Sequence, residues 1–373
     1  MSGIYIHIPF CKHACHYCDF HFSTSLKYQK KLINSINKEI EIQKNYLKKT
    51  TVKSIYIGGG TPSVIESKEI NSMLTNIKTH YQIDDNAEIT IECNPDDITK
   101  NKLNDYKKNG INRISLGVQS FNDKHLIFSN RTHNSLQAIK SIELILEEKF
   151  KNFSIDLIYG FPNMTLEEWK ENLEIFLKYK IPHLSAYCLT IEKKTVFNKY
   201  KKEGKIKELN QKKLINMFLY LIKKLEKNNY KQYEISNFSL KNHHSIHNSN
   251  YWKQKKYLGI GPSAHSYDKN SRQWNISNNI KYINSIEKNI IPFKIEKLSE
   301  ENKLNEYLLT SIRTSNGVNK NFINKNFNSK LISLLKQKLK NIPREFILEN
   351  ENNIKLTNRG KCFADKITRD LFY

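Results

Sequence analysis

The chain has 373 residues, 38% of them hydrophobic and 26% charged, which suits two or three globular domains and argues against a disordered protein. Six cysteines are too few for a disulfide framework, and no apolar run approaches the ~18 residues of a membrane span. The formal net charge is +24, but only seven of the 61 basic residues are arginine, so we do not expect a nucleic acid partner.

Short apolar runs alternate with amphipathic stretches over the first half of the chain. Strands are predicted at Ile4–Ile8, Lys53–Ile57, Glu88–Ile91, Arg113–Val118, Phe153–Ile158 and His183–Tyr187. Helices are predicted near residues 27–47, 66–80, 99–109, 135–149 and 165–179. Strands separated by helices are typical of parallel βα units. We therefore predict an α/β protein whose first part, residues 1–230, is a partial (βα)6 barrel, with an open sheet as the alternative arrangement.

The alternation fades after about residue 190, and residues 231–373 predict a smaller α+β region. Helical patterns cover Gln211–Asn228 and 300–312, a strand is predicted at Lys231–Ile235, and the polar segments 241–250 and 268–281 predict loops. At the end of the chain, a helix at Leu331–Leu339 precedes a predicted hairpin of Glu345–Glu349 with Asn353–Leu356, and a helix at Asn358–Leu371 follows. This order is typical of a winged-helix-like module.

The strongest chemical signal is a group of three cysteines that directly follows the first predicted strand. Cys11, Cys15 and Cys18 form a C-x3-C-x2-C pattern. Thiolates bind zinc and iron–sulfur clusters, but three ligands are one short of a closed structural zinc site. A three-cysteine loop that holds a [4Fe–4S] cluster leaves one iron open for another ligand. The pattern therefore favours a cluster of this kind.

The sequence that carries these cysteines, Tyr5-Ile-His-Ile-Pro-Phe-Cys11-x3-Cys15-x-Tyr17-Cys18, resembles the radical SAM superfamily. It is most similar to the branch that contains oxygen-independent coproporphyrinogen III oxidases and the HemW haem chaperones. The resemblance implies that the three cysteines bind three irons of a [4Fe–4S] cluster and that S-adenosylmethionine (SAM) binds the fourth iron. The resemblance further implies that one electron from the cluster would cleave SAM to methionine and a 5′-deoxyadenosyl radical.

Further motifs follow the later strands, and in barrels of this kind function gathers at the carboxyl ends of the strands. Residues 58–63 (GGGTPS) follow the second strand, Glu92 and Gln119 end the third and fourth, Arg131 comes soon after, and Asp156 lies in the fifth. Taken singly, each suits a tight turn or a polar barrel residue. The resemblance implies SAM contacts from Tyr5, Tyr17, Gly59, Gly60, Thr61, Glu92, Gln119, Arg131 and Asp156.

Two departures separate this chain from the oxidases of that branch. The oxidase pattern continues as C-x3-C-x2-C-x-C, whereas here Cys18 is followed by Asp19 and Phe20, which is not a thiolate. The chain also begins just before the first predicted strand, without the N-terminal extension expected of an oxidase. Oxidative decarboxylation of coproporphyrinogen III is therefore the alternative function. A radical SAM enzyme that modifies tRNA is a third hypothesis, which would give the positive charge a purpose.

A motif in the second half of the chain favours the chaperones. His247-Asn-Ser-Asn-Tyr251-Trp252 matches the H-N-x-x-Y-W motif of the HemW proteins. A neutral imidazole is a common haem ligand, and tyrosine and tryptophan offer flat apolar surface with polar edges. We therefore predict that His247 binds haem, with His243, His244 and His265 as rival ligands.

The resemblance implies a chaperone that binds a [4Fe–4S] cluster, SAM and haem and transfers haem to apoproteins such as respiratory enzymes. We expect it in the cytoplasm, because the N-terminal sequence MSGIYIHIPF lacks the basic start and the long apolar run of a signal peptide. A peripheral membrane contact and a homodimer stay open as hypotheses.

Overall fold

A computed structural model describes all residues, 1–373. It contains one twelve-stranded sheet and one three-stranded sheet. The strands are β1 Ser2–Ile8, β2 Val52–Gly59, β3 Ile83–Cys93, β4 Arg113–Gln119, β5 Phe153–Tyr159, β6 His183–Cys188, β7 Lys231–Gln232, β8 Asn237–Ser239, β9 Lys256–Ile260, β10 His265–Tyr267, β11 Ser271–Asn275, β12 Phe293–Lys297, β13 Val318–Asn319, β14 Ile347–Glu349 and β15 Asn353–Leu356.

Fifteen α-helices connect and cover these strands. They are α1 Gln29–Ile42, α2 Ser67–His80, α3 Lys100–Lys108, α4 Asp123–Phe128, α5 Ser135–Glu147, α6 Leu166–Lys178, α7 Val196–Lys202, α8 Gln211–Lys227, α9 Ile246–Trp252, α10 Asn279–Glu287, α11 Glu300–Ser311, α12 Lys320–Asn326, α13 Ser329–Lys340, α14 Asn358–Lys361 and α15 Ala364–Leu371. None of them combines the length and the hydropathy of a membrane-spanning helix.

The six predicted strands of the first half are all present, and β1 to β6 lie side by side in chain order as parallel neighbours. Apolar residues alternate along these strands, as Ile4, Ile6 and Ile8 do in β1, and they are buried in the main core. The positions between them are mostly polar, as Glu92 and Asp156 are, and face the inside of the partial barrel. Since β1 and β6 do not pair with each other, the barrel is partial rather than closed. The predicted α/β class is confirmed.

Strands from the second half extend this sheet at both edges. Strand β9 pairs in parallel with β1, and the antiparallel strands β10, β11 and β12 continue outwards from it. At the other edge β8 pairs antiparallel with β6. Residues 231–297 therefore continue the structure of the first part, although the sequence pattern changes before them. The boundary proposed at residue 230 stays a prediction about domains.

Two predicted loops are wrong. Segment 241–250 carries the start of α9. The Ser245 hydroxyl is the N-cap and accepts a hydrogen bond from the Asn248 amide. The buried Glu88 carboxylate accepts hydrogen bonds from the amides of Ile246 and His247. Segment 268–281 contains β11 and the start of α10. Strand β11 lacks alternating apolar residues, so only its pairing with two neighbouring strands reveals it.

The end of the chain forms a second, smaller core. Thirteen buried residues between Leu304 and Leu371 pack together, apart from the main cluster under the large sheet. The elements follow the order α11, β13, α12, α13, β14, β15, and the sheet order is β13-β15-β14. This is the predicted winged-helix-like arrangement, with β14 and β15 as the hairpin.

Candidate functional site

A cavity of about 420 Å³ lies at the carboxyl ends of the parallel strands. Eleven of the thirteen predicted site residues line it: Cys11, Cys15, Cys18, Tyr17, Gly59, Gly60, Thr61, Glu92, Gln119, Arg131 and Asp156. They come from segments up to 145 residues apart in the sequence, and the common direction of the strands brings them together. Tyr5 and His247 do not line this cavity.

The cysteine loop is held from several sides. Its Lys12 ammonium forms ion pairs with Asp96 and Asp97 after β3. The Asn130 side-chain amide donates to the Ala14 carbonyl oxygen at 2.8 Å, across from α4. The loop that follows β1 is therefore fixed by segments that follow β3 and β4.

The three cysteines are free thiols and half-buried. Burial raises the pKa of the Cys11 thiol, and it raises that of Cys18 to about 12, so a cation that attracts thiolates is needed to deprotonate them. No three His, Cys, Asp or Glu side chains converge to hold a single metal ion. An iron–sulfur cluster places each thiolate on a different iron, so its ligands need not converge on one point. The donor set therefore fits a cluster better than a mononuclear metal site.

The glycine loop after β2 approaches the cysteine loop so closely that side chains would not fit. A Cβ on Gly60 would lie 2.8 Å from the Phe10 carbonyl oxygen and 2.9 Å from Cys11 Sγ. Gly59 has φ +117°, a conformation that favours glycine. The Thr61 hydroxyl donates to Cys11 Sγ at 3.4 Å. The loop thus lines the wall beside Cys11 with exposed backbone.

Two carboxylates face the cavity from β3 and β5. Glu92 accepts hydrogen bonds from the Tyr56 hydroxyl at 2.8 Å and the Gly59 amide at 2.9 Å. Burial, with a contribution from the nearby Asp156 carboxylate, raises the pKa of Glu92 to about 7. Burial likewise raises the pKa of Asp156 to about 6, and its Oδ1 has no hydrogen-bond partner. Buried acceptors are normally satisfied, so Asp156 Oδ1 suits a donor from a bound ligand, such as a ribose hydroxyl.

Arg131 ties the cysteine loop to the sheet. Its guanidinium donates to the Gly117 carbonyl oxygen at 2.7 Å, the Asn94 side chain at 2.8 Å and Cys15 Sγ at 3.4 Å. Gln119 has φ +67°, which is uncommon for a residue with a side chain and marks the sharp turn at the end of β4. The cavity therefore joins carboxylates, a guanidinium and backbone groups, a set that fits the amine, carboxylate and hydroxyls of SAM.

Tyr5 and His247 lie on the same face of the sheet as Tyr56, and His247 lies towards the amino ends of β1 and β2. Tyr5 lines a second cavity, described below, and hydrogen-bonds His7 Nδ1 at 3.1 Å. The His247 side chain is buried, with Nδ1 hydrogen-bonded to the Ser54 hydroxyl and Nε2 to the Tyr251 hydroxyl, both at 2.9 Å. A haem iron would have to displace one of these bonds to reach His247, whose role as ligand stays a prediction.

The sequence reasoning missed one side of the cavity. This side is formed by residues at and after the end of β6, with one residue each from β4 and from the loop after the cysteines: Tyr187, Leu189, Thr190, Glu192, Ser115 and Phe22. The position of 187–192 after a predicted parallel strand was a usable signal, since the same rule located the other motifs. Ser115 and Phe22 carry no comparable signal in the sequence.

Comparison with known proteins shows the family of the chain. The model of the radical SAM superfamily matches residues 5–176. A heme chaperone HemW from Bacillus subtilis is 32% identical over 374 aligned residues, which cover 98% of each chain. The chain belongs to the HemW family.

A second HemW relative, from Lactococcus lactis, is 34% identical and aligns with 96% of this chain and 94% of its own. The HemW protein of Buchnera aphidicola from Acyrthosiphon pisum is also 34% identical, with 98% and 96% covered. Among solved structures, the radical SAM enzyme coproporphyrinogen III oxidase from Escherichia coli has a TM-score of 0.85 at 20% identity and covers all of this chain. That likeness shows that this chain has the fold of the oxidase structure.

Proposed function

We propose that this chain is a haem chaperone that holds a [4Fe–4S] cluster and SAM and transfers haem to haem-requiring apoproteins. The observation that carries the proposal is the gathering of Cys11, Cys15 and Cys18 around one cavity with the predicted SAM residues. The relatives aligned over the whole chain are named heme chaperones. Cluster and SAM together supply one-electron chemistry when bound.

Each part of the cavity has a role in this proposal. Cys11, Cys15 and Cys18 bind three irons of the cluster, and Arg131 steadies the loop through its bond to Cys15 Sγ. The backbone of 59–61 approaches the methionine part of SAM without interference from side chains. Glu92 and Asp156 accept hydrogen bonds from amine and hydroxyl groups. The remaining predicted contacts are Tyr17 and Gln119, which line the same cavity, and Tyr5, which lines the second cavity. A contact with Tyr5 therefore requires that SAM extend past Gly59, which both cavities share.

All six cysteines are free thiols, which suits a reducing compartment such as the cytoplasm. We infer that the protein works there and meets its recipients, such as respiratory enzymes, as a transient partner. Asp19 and Phe20 occupy the positions where the oxidase pattern continues to a fourth cysteine, and the Phe20 side chain is 68% exposed between the two cavities. An apolar surface at this point favours contact with a flat apolar cargo.

The test is an anaerobic titration of the cluster-loaded chain with haem, followed through the Soret band. Stoichiometric binding and subsequent transfer to a haem-free recipient protein, read from the spectrum of the separated recipient, are the expected results. Conversion of coproporphyrinogen III to protoporphyrinogen IX without haem transfer would contradict the chaperone function and establish the oxidase activity instead.

A further inference from the structure

A second cavity, of about 570 Å³, lies beside the first and shares four wall residues with it. The shared residues are Asp19, Phe20, Gly59 and Glu92. The rest of its wall comes from β1, from His21 in the loop after the cysteines, and from the second half of the chain, including α9, β9, β10 and β11. Its volume lies within the range of about 300–1,000 Å³ that is usual for cofactor sites.

Four aromatic rings line the part contributed by the second half: Tyr251, Trp252, Tyr257 and Tyr267. Tyr251 packs edge-to-face on Tyr257, with ring centroids 4.5 Å apart, and Tyr257 lies 6.0 Å from Tyr267. Contiguous rings of this kind hold one another rigid and present flat apolar surface. The wall therefore suits a flat, rigid macrocycle.

Three histidines line the cavity, and they differ in how many of their ring nitrogens are hydrogen-bonded to the protein. Both nitrogens of His7 are hydrogen-bonded, to the Tyr5 hydroxyl and the His21 carbonyl oxygen. His21 Nε2 is bonded to the Asn279 side chain at 2.8 Å. His265 is exposed, and neither of its ring nitrogens has a hydrogen-bond partner in the protein.

The surroundings of His265 support the neutral ring that binds metals. The imidazole lies against Trp274 on the neighbouring strand, with centroids 6.0 Å apart and nearly parallel planes. Although the ring reaches solvent, the surrounding wall removes part of its hydration, and this desolvation, followed by the charge of Arg272, lowers the pKa of His265 below its ordinary value. Arg272 is the one lysine or arginine in the wall and is paired with Glu306 at 2.5 Å. Haem propionates therefore have little to bind inside and are expected to face solvent.

We propose that haem binds in this second cavity and that His265 supplies the ligand to its iron. His247 then acts as a positioning residue: its ring holds the hydroxyl of Tyr251, whose own ring lines the cavity. The inference rests on the proposed haem function and assigns the iron ligand to a residue outside the H-N-x-x-Y-W motif. It also places the cargo against the wall shared with the cluster cavity.

The test compares variants of the full, cluster-loaded chain in anaerobic haem titrations. His265→Ala is expected to weaken haem binding by about tenfold or more and to remove the spectroscopic signature of an imidazole ligand, which added free imidazole restores. His247→Ala is expected to weaken binding less and to keep that signature. His80→Ala, at the end of α2 and outside both cavities, is the control and should match the unaltered chain.

Other results would overturn either the ligand assignment or the proposed haem function. If His265→Ala keeps the imidazole signature and His247→Ala loses it, the ligand assignment is wrong while the haem function stands. Loss of the signature in His21→Ala alone would move the ligand to His21 and overturn the assignment as well. If the unaltered chain binds no haem, the proposed function itself fails. SAM binding, measured by calorimetry on His265→Ala and on the more conservative His265→Gln, checks that the variants are folded.

Discussion

At the scale of single residues, Glu92 connects the two cavities. Its carboxylate accepts hydrogen bonds from Tyr56 and Gly59 and lines both cavities. The same position that makes it available to a ligand removes it from water, which is why its pKa rises to about 7. Ligand binding and stability are therefore coupled at this residue.

We expect this coupling to appear in the pH dependence of unfolding. Between the ordinary value of 4.5 and about 7, the folded chain keeps a proton on Glu92 that the unfolded chain releases. The free energy of unfolding should therefore fall as the pH rises through this window, by about 3 kcal/mol from this group. In Glu92→Gln that contribution should vanish. The difference in the free energy of unfolding between the variant and the unaltered chain, measured by urea denaturation, should therefore favour the variant more at pH 8 than at pH 5.

The same variant should bind SAM more weakly, because an amide does not offer the carboxylate's charge to the SAM amine. Calorimetry on cluster-loaded protein measures this loss. The iron content should not change, since Glu92 makes no hydrogen bond to a cysteine. Equal SAM affinity in both proteins would exclude Glu92 from the SAM site, whatever its effect on stability.

The cysteine assignment predicts a clear difference between two thiols. Cys15→Ala should lose most of the ~4 irons per chain that anaerobic reconstitution provides, because the loop then has only two thiolates. Cys362→Ala, a matched change in the C-terminal module outside both cavities, should keep its iron. Iron analysis and the visible absorption of the cluster give the measurement, and full iron retention by Cys15→Ala would refute the assignment.

At the scale of elements, the short helix α9 depends on a carboxylate from the sheet. Glu88 of β3 accepts hydrogen bonds from the backbone amides of Ile246 and His247 at 3.0 and 2.9 Å, and it lies 3.7 Å from Arg113 Nε. A helix of seven residues is not stable alone. This buried contact therefore fixes the helix that carries Tyr251 into the second cavity.

Glu88→Ala should destabilise the fold by about 3–5 kcal/mol, because it leaves the Arg113 charge buried without its partner and frees two amides. Denaturant unfolding measures the loss. Amide hydrogen exchange should quicken at Ile246 and His247 in particular. If exchange there stays as slow as in the unaltered chain, the carboxylate does not anchor α9. Glu143→Ala, an exposed acidic change on α5, is the control and should cost little.

At the scale of the whole molecule, two cores are joined by contacts near both edges of the large sheet. The larger core lies under the twelve-stranded sheet and the smaller one within the C-terminal module. Ile235 packs against both, the Ser315 amide donates to the Tyr233 carbonyl oxygen, and Lys361 donates to the Gln232 side chain. The module therefore contacts the sheet next to β7 at one edge and, through the ion pair of Arg272 on β11 with Glu306 on α11, near the other edge.

Because the cores are separate, damage to the smaller one should stay local. Leu335→Ala should cost the module about 2–4 kcal/mol, since Leu335 is buried. Hydrogen exchange should rise over residues 300–373, while β1 to β6 and SAM binding stay unchanged. The neighbouring Leu334 is 38% exposed, so Leu334→Ala is a control with a small expected effect. If amide hydrogen exchange in Leu335→Ala rose equally throughout the chain, the two cores would unfold as one cooperative unit and this prediction would be wrong.

The sequence by itself determined the features that depend on neighbours along the chain. Cys11, Cys15 and Cys18 lie within eight positions, so their spacing alone indicates a common metal centre. Short apolar-rich segments separated by helical patterns predicted all six parallel strands. The rule that function gathers at the carboxyl ends of such strands then predicted most of the first cavity.

Only the tertiary structure decided what depends on residues far apart. His247 belongs to a strong motif, yet Ser54, almost two hundred positions earlier, buries it and occupies its Nδ1. Helix α9 needs Glu88, and β11 needs its pairing partners, so both read as loops in the sequence. The second cavity combines β1 with α9 to β11, and the free imidazole of His265 is recognised only once those elements meet. Local patterns record periodicity and spacing, whereas burial and hydrogen-bond partners are set by the packing of distant segments.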